Sequence, residues 1–423
     1  MRVTHKENMT TNTHPPESLR AVASSEIYIK SRRTRQRFMP ILQANLEEAL
    51  ATVAPDAVVQ GHGNHEFDIK AADLNAAAIA ASTVFGIGRI DRVTNVAAAS
   101  LDELAANVAV IATPAVAGKT FAARVRRNGN HEWKSQEAEI AIGNALYDAS
   151  AGVDLTNPQV TVRVRVQGGK AVVVSESWAG PNGLPVGTQS PNLVMLSGGI
   201  DSPVAAWMMM RRGCPIDMLH FQLECNQADH ALAVGHLLAS TWGHGANINL
   251  HVIDFEPIKK ELSTAVHPRL RQVLLKQLMT EAAHRVAQQL ELPLIVTGDS
   301  LGQVSSQTAA NLVEIDKYAQ APLLRPLIAN TKQEIVDRAR LIGTYELSTK
   351  AREVCDLSEG RPVETAAPTY RLRKGMAQLR EGLIDDALAT WETVPASEWF
   401  PGIPLTPVGA VEAVVESVTV DHE

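Results

Sequence analysis

The chain has 423 residues, 45% of them hydrophobic and 20% charged, which is enough for two or three cored domains and ordinary for a soluble globular protein. Three cysteines, none in a close pair, exclude a disulfide-stapled scaffold and fit a reducing cytoplasm; no apolar run is long enough to span a membrane, and the polar start "MRVTHKENMTTNTHPPES" lacks a signal peptide's apolar core. The net charge of −7 hides an asymmetry, because the nine acidic residues from Glu381 onward, with no Lys or Arg among them, leave the rest of the chain at +2.

Residues 1–23 are expected to be disordered. From there to residue 110 a strand-like "EIYIK", a helical "RFMPILQANLEEALATV" and two further strand–helix pairs suggest a small α+β unit. "TFAARVRR" (120–127) alternates like a half-buried strand, "EAEIAIGNALYDA" (137–149) is helical, and "QVTVRVRVQGGKAVVVSES" (159–177) reads as a hairpin turning at Gly168–Gly169. Basic residues concentrate in "IKSRRTRQR" (29–37) and "FAARVRRNGNHEWK" (121–134), and less densely in "YRLRKGMAQLR" (370–380). Such runs are either solvated faces or a surface for phosphate backbones, which respond to local rather than net charge. "WAGPNGLPVGTQSPN" (178–192), rich in Gly and Pro, is a linker or domain seam.

Beyond it the rhythm is regular. Strands "LVML", "IDMLHFQ", "INLHVIDF" and "PLIVTG" alternate with helices near 202–212, 230–242, 268–290 and 331–342, with Gly213, Gly243 and Gly343 placed as C-terminal caps. This is the pattern of an α/β fold with a doubly wound parallel sheet, whose ligands sit beyond the carboxyl ends of the strands. In "LVMLSGGIDSPVAAWMMM" (193–210), Ser197, Gly198 and Gly199 fall at such an end, and Asp201–Ser202 open a helix. Glycines admit a close ligand, and a helix N-terminus favours an anion, so the loop is built for phosphate; without a Gly-Lys-Ser/Thr ending it is not a Walker A loop.

SGGIDS resembles the signature of the PP-loop ATP pyrophosphatases, which split ATP between the α- and β-phosphates and adenylate a substrate. The neighbouring text "LSGGIDSPVAAWMMMRRG", "LHF", "VTGDSLGQVSSQTAANL" and "LLRPLIANTKQEIVDRARLIGTYELS", with Cys355 following, resembles the tRNA uridine 4-sulfurtransferase family. "TFAARVRRNGNHEWKSQEAEIAIGNAL" is similar to that family's THUMP RNA-binding domain, and "EIYIKSRRTRQRFMPILQANLEEAL" to its ferredoxin-like domain. The resemblance implies a ferredoxin-like domain at 24–80, a THUMP domain at 81–178, a linker at 179–192, a PP-loop (adenine nucleotide alpha hydrolase-like) domain at 193–365 and a C-terminal extension of unknown role at 366–423.

It further implies an ATP- and Mg2+-dependent enzyme that adenylates O4 of a tRNA uridine, expected at tRNA position eight, and delivers sulfur to C4 from a cysteine persulfide. The implied nucleotide contacts are Met195, Leu196, Ser197, Gly198, Gly199, Asp201, Ser202, His220, Phe221, Lys276, Gly298 and Gln307. Met195 and Phe221 equally suit core positions at strand ends. Asp201 would act through magnesium or the pyrophosphate, and Cys355, in "AREVCDLSEG", would carry the persulfide. Arg32, Arg33, Arg35, Lys119, Arg124, Arg126, Arg127 and Lys134 would grip tRNA.

Two departures stand out: Lys276 occupies a place where the family usually has arginine, and "QLECNQAD" (222–229) replaces its Ser-Pro-Pro-rich text. No cysteine follows Cys355, so sulfur is expected directly from a cysteine desulfurase or another persulfide donor; Cys214 reads as a buried residue, and Cys214 or Cys225 as a resolving thiol. No CxxC spacing supports a metal cluster. A homodimer and a cytoplasmic location complete the expected picture. Two alternatives are sulfur transfer for the thiazole of thiamine alone, and an RNA-binding protein with a degenerate ATPase site.

Overall fold

The computed structural model describes residues 16–224, 228–350, 357 and 361–395. Two sheets organise them. Strands β1 (Glu17–Ala23), β2 (Val58–His62), β3 (Glu66–Lys70), β4 (Ile87–Ala97), β5 (Thr120–Asn128), β6 (Gly152–Val153), β7 (Val160–Gln167) and β8 (Lys170–Ala179) form one eight-stranded sheet in the order β2-β3-β1-β4-β8-β7-β5-β6. Helices Arg32–Ala51 and Leu74–Ala81 pack with β1 and β3 around Leu19, Leu42, Leu46, Phe67 and Ile69. Helices Leu101–Val116 and Ser135–Tyr147 do the same with β5 and β7 around Leu104, Phe121, Ile142 and Val164. The hairpin expected at Gly168–Gly169 joins β7 to β8, with Gly168 in the left-handed region at φ +59°.

Two expectations for the N-terminus are corrected. Residues Glu17–Ala23 are not disordered but form β1, the strand between β3 and β4. Its alternation of Leu19, Ala21 and Ala23 is muted by the small alanines, yet all three are buried. "EIYIK" is not a strand: Ser25–Tyr28 is a short helical turn, with Ile27 buried and Tyr28 and Ile29 exposed.

Strands β9 (Asn192–Met195), β10 (Ile216–Gln222), β11 (Asn249–Asp254), β12 (Ile295–Val296), β13 (Leu323–Leu324) and β14 (Glu392–Pro395) form the second sheet in the order β13-β12-β9-β10-β11-β14. The first five are parallel, as expected of a doubly wound domain, and β14 is antiparallel on β11. The chain thus steps outward from β9 in one direction to β11 and then in the other to β13, which makes the gap between β9 and β12 the switch point. Helices Asp201–Arg211, Ala228–Trp242 and Lys332–Ile342 cover one face, and Glu256–Ala265 and Pro268–Gln289 the other. Gly213 and Gly343 end their helices at φ +86° and +90°, whereas after Ala228–Trp242 the left-handed residue is Gly245 rather than Gly243. Residues expected to lie beyond this domain belong to it: Thr393 and Trp391 meet Nδ1 of the buried His251 at 2.9 and 3.1 Å, which fastens β14 to the sheet. Among the described residues no helix is long and apolar enough to cross a membrane.

The segment expected as a linker is a packed strap. Leu184 and Val186 are buried, Ser24 donates to the Gly183 carbonyl at 2.8 Å, and Asn45 donates to that of Val186 at 3.0 Å. Gly183, at φ +79°, lies so close to the Arg211 carbonyl that a Cβ would sit 2.1 Å from it. Phe85, from the first sheet's side, packs with Trp207 and Trp242 at ring distances of 5.3 and 5.7 Å. Beside it His244 meets Thr83 at 3.2 Å, and burial, partly offset by the Thr241 carbonyl, lowers this imidazole to about 4.

Two results are expected. Phe85→Ala should cost about 3–5 kcal/mol in urea unfolding, against less for Phe85→Leu. Because the unfolded chain protonates His244 near pH 6.5 and the folded chain only near 4, its contribution is complete above pH 6.5 and lost as pH falls through 4. The unfolding free energy from urea titrations should therefore drop across that window at up to about 1.4 kcal/mol per pH unit, and His244→Asn should flatten the drop.

Candidate active site

Helix Asp201–Arg211 begins where β9 ends, after the loop 196–200. Two serines close this loop on itself. The Ser202 hydroxyl accepts from the Ser197 amide at 2.8 Å and lies 2.9 Å from the Ser197 hydroxyl, which in turn accepts from the Gly199 amide at 3.3 Å. A Cβ on Gly199 would meet nothing nearer than Ser197 Oγ at 3.5 Å, so the glycine faces open space. Ser348 donates to the Gly199 carbonyl at 3.2 Å and anchors the far side.

Gly298 carries β12 against the same helix turn. A Cβ there would lie 2.7 Å from the Ser202 amide nitrogen and 3.0 Å from the Asp201 carbonyl carbon, so only glycine fits. The next residue is Asp299, which is 8% exposed. Asp299 Oδ1 accepts from Lys276 Nζ at 2.7 Å and from Gln307 Nε2 at 3.2 Å; Oδ2 accepts from Thr297 Oγ1 at 2.8 Å and from Arg325 Nε at 3.3 Å. Burial pushes this carboxyl up, but Lys276, with the Thr297 hydrogen bond and the Arg325 charge, outweighs it and holds Asp299 at about 2.

Asp201 is gripped from the solvent side. Its Oδ1 pairs with Lys332 Nζ at 2.6 Å, and its Oδ2 accepts from Gln303 Nε2 at 2.7 Å. Lys332 opens helix Lys332–Ile342 behind the N-cap Thr331, which forms a capping box with Glu334.

At the end of β10, His220 Nδ1 lies 3.0 Å from the Leu196 carbonyl; a carbonyl can only accept, so Nδ1 carries the proton and donates. Burial, only partly countered by that bond, lowers the pKa of His220, so the ring is neutral and its Nε2 is an acceptor. His220 Nε2, Gln303 Oε1 and Gln307 Oε1 are buried without a hydrogen-bond partner. Unpartnered buried acceptors in a native structure ask for a donor.

The structure therefore brings Leu196, Ser197, Gly198, Gly199, Asp201, Ser202, His220, Lys276, Gly298 and Gln307 to one end of the sheet, at its switch point. Met195 and Phe221 belong to the core on the opposite face, where the Phe221 and Phe255 rings lie 4.4 Å apart. Cys214 is remote: it precedes β10 at the other end of the strands, is 6% exposed, and burial pushes its thiol pKa up. It stands away from the loop at 197–200. Cys225 and Cys355 lie outside the described residues. Sequence reasoning missed Asp299, Gln303, Arg325 and Lys332.

The basic residues divide. Arg35 is spent on the Tyr28 and Lys30 carbonyls, and Arg124 on that of Leu155 at 2.8 Å. Arg127 stacks 5.6 Å over Trp133. Arg32, Arg33, Arg126 and Lys134 stand at exposed positions, and Lys119 does too. The register sets Arg124 beside Arg163 and Arg126 beside Arg165, a block of four arginines across β5 and β7 whose second half was not among the expected tRNA contacts. Arg165 pairs with Glu66 at 3.2 Å, while burial and the neighbouring Arg89 lower the pKa of Arg163.

Known proteins share this plan. The family model "Thiamine biosynthesis protein (ThiI)" matches residues 187–379, and that of the THUMP domain residues 98–176. The tRNA sulfurtransferase of Desulfurococcus amylolyticus is 34% identical over 369 residues, covering 86% of this chain and 73% of that one. The probable tRNA sulfurtransferase of Aeropyrum pernix is 35% identical over 364 residues, covering 85% and 91% respectively. Among solved structures, a 4-thiouridine synthetase–RNA complex with bound ATP superimposes with a TM-score of 0.76 at 23% identity, covering 90% of this chain and 100% of that one, and so shares its fold. With relatives this similar over most of both lengths, the chain belongs to the tRNA sulfurtransferase family.

Proposed function

We propose that the protein is an ATP-dependent tRNA sulfurtransferase that converts a tRNA uridine, at position eight, to 4-thiouridine. The observation that carries the reading is the loop 197–200 at the switch point, its helix N-terminus open and the carboxylate of Asp201 poised between Lys332 and Gln303. Triphosphate fits there, since backbone N–H groups and the helix dipole favour negative charge. Lys276 and Lys332, each held by a carboxylate, can turn to phosphate oxygens, and the unpartnered acceptors of His220, Gln303 and Gln307 suit the donors of a nucleotide.

Uridine O4 attacks the α-phosphorus and pyrophosphate leaves, its charge taken up by Lys332 and the first turn of helix Asp201–Arg211. Mg2+, when bound, neutralises phosphate charge. Asp201, at the first turn of the helix, is the carboxylate that would hold it beside the phosphates. The terminal sulfur of a Cys355 persulfide, loaded by a cysteine desulfurase or similar donor, then attacks C4. AMP departs with the former O4, leaving the uridine sulfur disulfide-bonded to Cys355. A second thiol, for which Cys225 is the candidate, attacks Sγ of Cys355, so that 4-thiouridine leaves as the thiolate and a Cys225–Cys355 disulfide forms. An external thiol reductant must reduce that disulfide before the next turnover. The arginines of β5 and β7 supply phosphate contacts for tRNA.

Neither alternative is favoured. A decayed nucleotide site would not keep Lys276 in a 2.7 Å ion pair with a buried carboxylate, and service to thiamine alone would not explain the arginine block.

The test is to incubate the protein with unmodified tRNA, ATP, magnesium and a persulfide-generating desulfurase, and to assay 4-thiouridine. Product is expected only with ATP; ATP cleavage without product would sink the assignment of the acceptor. Asp201→Ala should abolish AMP formation, and AMP at the wild-type rate would remove its role. Cys355→Ser should still release pyrophosphate, through adenylation of the uridine, yet transfer no sulfur. Arg126→Ala with Arg163→Ala should weaken tRNA binding and lower the slope of log K against log salt by about 0.9 for each phosphate no longer neutralised, whereas an unchanged slope would place the RNA elsewhere.

A further inference from the structure

We propose that Asp299 is the positioning residue of the nucleotide site, a single carboxylate that sets where Lys276 and Gln307 stand before ATP arrives. The proposal rests on the reading that ATP binds at the loop 197–200.

Four donors from separate parts of the chain converge on it: Thr297 two residues earlier, Gln307 from the following turn, Lys276 from helix Pro268–Gln289 and Arg325 from the end of β13. Each carboxylate oxygen accepts two of them, so neither has room left for a metal. Arg325 is fixed a second time by Asp316, at 3.1 and 2.5 Å. This leaves Lys276 as the mobile cation. Its ammonium has three donors and a flexible stem, so one can stay on Asp299 while another meets a phosphate oxygen.

Lysine here also needs Asp299 more than arginine would. A guanidinium has its own planar fork, whereas an ammonium is a point charge whose place is set by what holds it. Gln307 makes the same case from the neutral side. With its amide donating to Asp299 at 3.2 Å, its Oε1 is turned away and left without a partner. Asp299 therefore fixes which end of Gln307 meets the ligand. Asparagine in its place would keep the size but set an N–H against a ring of donors, freeing both side chains.

The experiment is equilibrium binding of MgATP to the full chain, with steady-state AMP formation alongside. Asp299→Asn should weaken binding about 10- to 100-fold, the loss expected of a charge-assisted hydrogen bond, and should raise KM for ATP more than it lowers kcat. Lys276→Met should do likewise, and the double variant should bind less weakly than the product of the two effects. Wild-type-like circular dichroism and a cooperative urea transition in all three variants show that the nucleotide-binding domain is folded. Multiplicative losses, or unchanged ATP binding in Asp299→Asn, would overturn the proposal. Failure of the wild-type chain to bind MgATP would overturn the function beneath it, and the proposal with it.

Discussion

The site depends on one close approach, that of β12 to the first turn of helix Asp201–Arg211. Because Gly298 has no side chain, its backbone reaches within van der Waals distance of Ser202. This brings the next residue, Asp299, to the first turn of that helix. Lys276, Gln307 and Arg325 follow, since each is oriented by that carboxylate. A larger residue at 298 would push the two chain segments apart, and the charges would lose their common anchor. The buried Asp299 is tolerated because four donors surround it; a carboxylate so placed with fewer would be protonated or destabilising.

The same economy joins the two sheets. The strap of residues 180–191 has its carbonyls taken by Ser24 and Asn45, and Phe85 closes on Trp207 and Trp242. The arginine block on β5 and β7 therefore stands at a definite place relative to the loop at 197–200. Under the proposed function, a tRNA gripped by those arginines would reach the other sheet without a search by flexible domains, and such chemistry needs a base removed from its stack.

Legibility in the sequence varied with how local the signal is. The phosphate loop lies within one strand–loop–helix unit, so SGGIDS after "LVML" announces it. The parallel sheet shows in short β-rich runs separated by helices. Asp299, Gln303, Arg325 and Lys332 converge from three separate stretches, and no spacing rule connects them. One clue did exist: Lys332 occupies the first turn of a helix, where the dipole disfavours a cation, and such a placement calls for an anion in front of it. Asp201 is that anion. At the N-terminus, the alanines of β1 hid its alternation while "EIYIK" displayed one that a single helical turn does not use. The place of β14 on the sheet was beyond local reading, since its partner β11 lies over a hundred residues away.

The route of one oxygen atom decides the proposed chemistry. If uridine O4 attacks the α-phosphorus, that oxygen must leave with AMP when sulfur replaces it. Unmodified tRNA labelled with oxygen-18 at uridine O4 should, in a single turnover with ATP and a persulfide donor, yield 4-thiouridine and AMP carrying the label. Unlabelled AMP formed together with 4-thiouridine would show that O4 is never adenylated, and the arrangement around Asp201 and Asp299 would then need a different reaction.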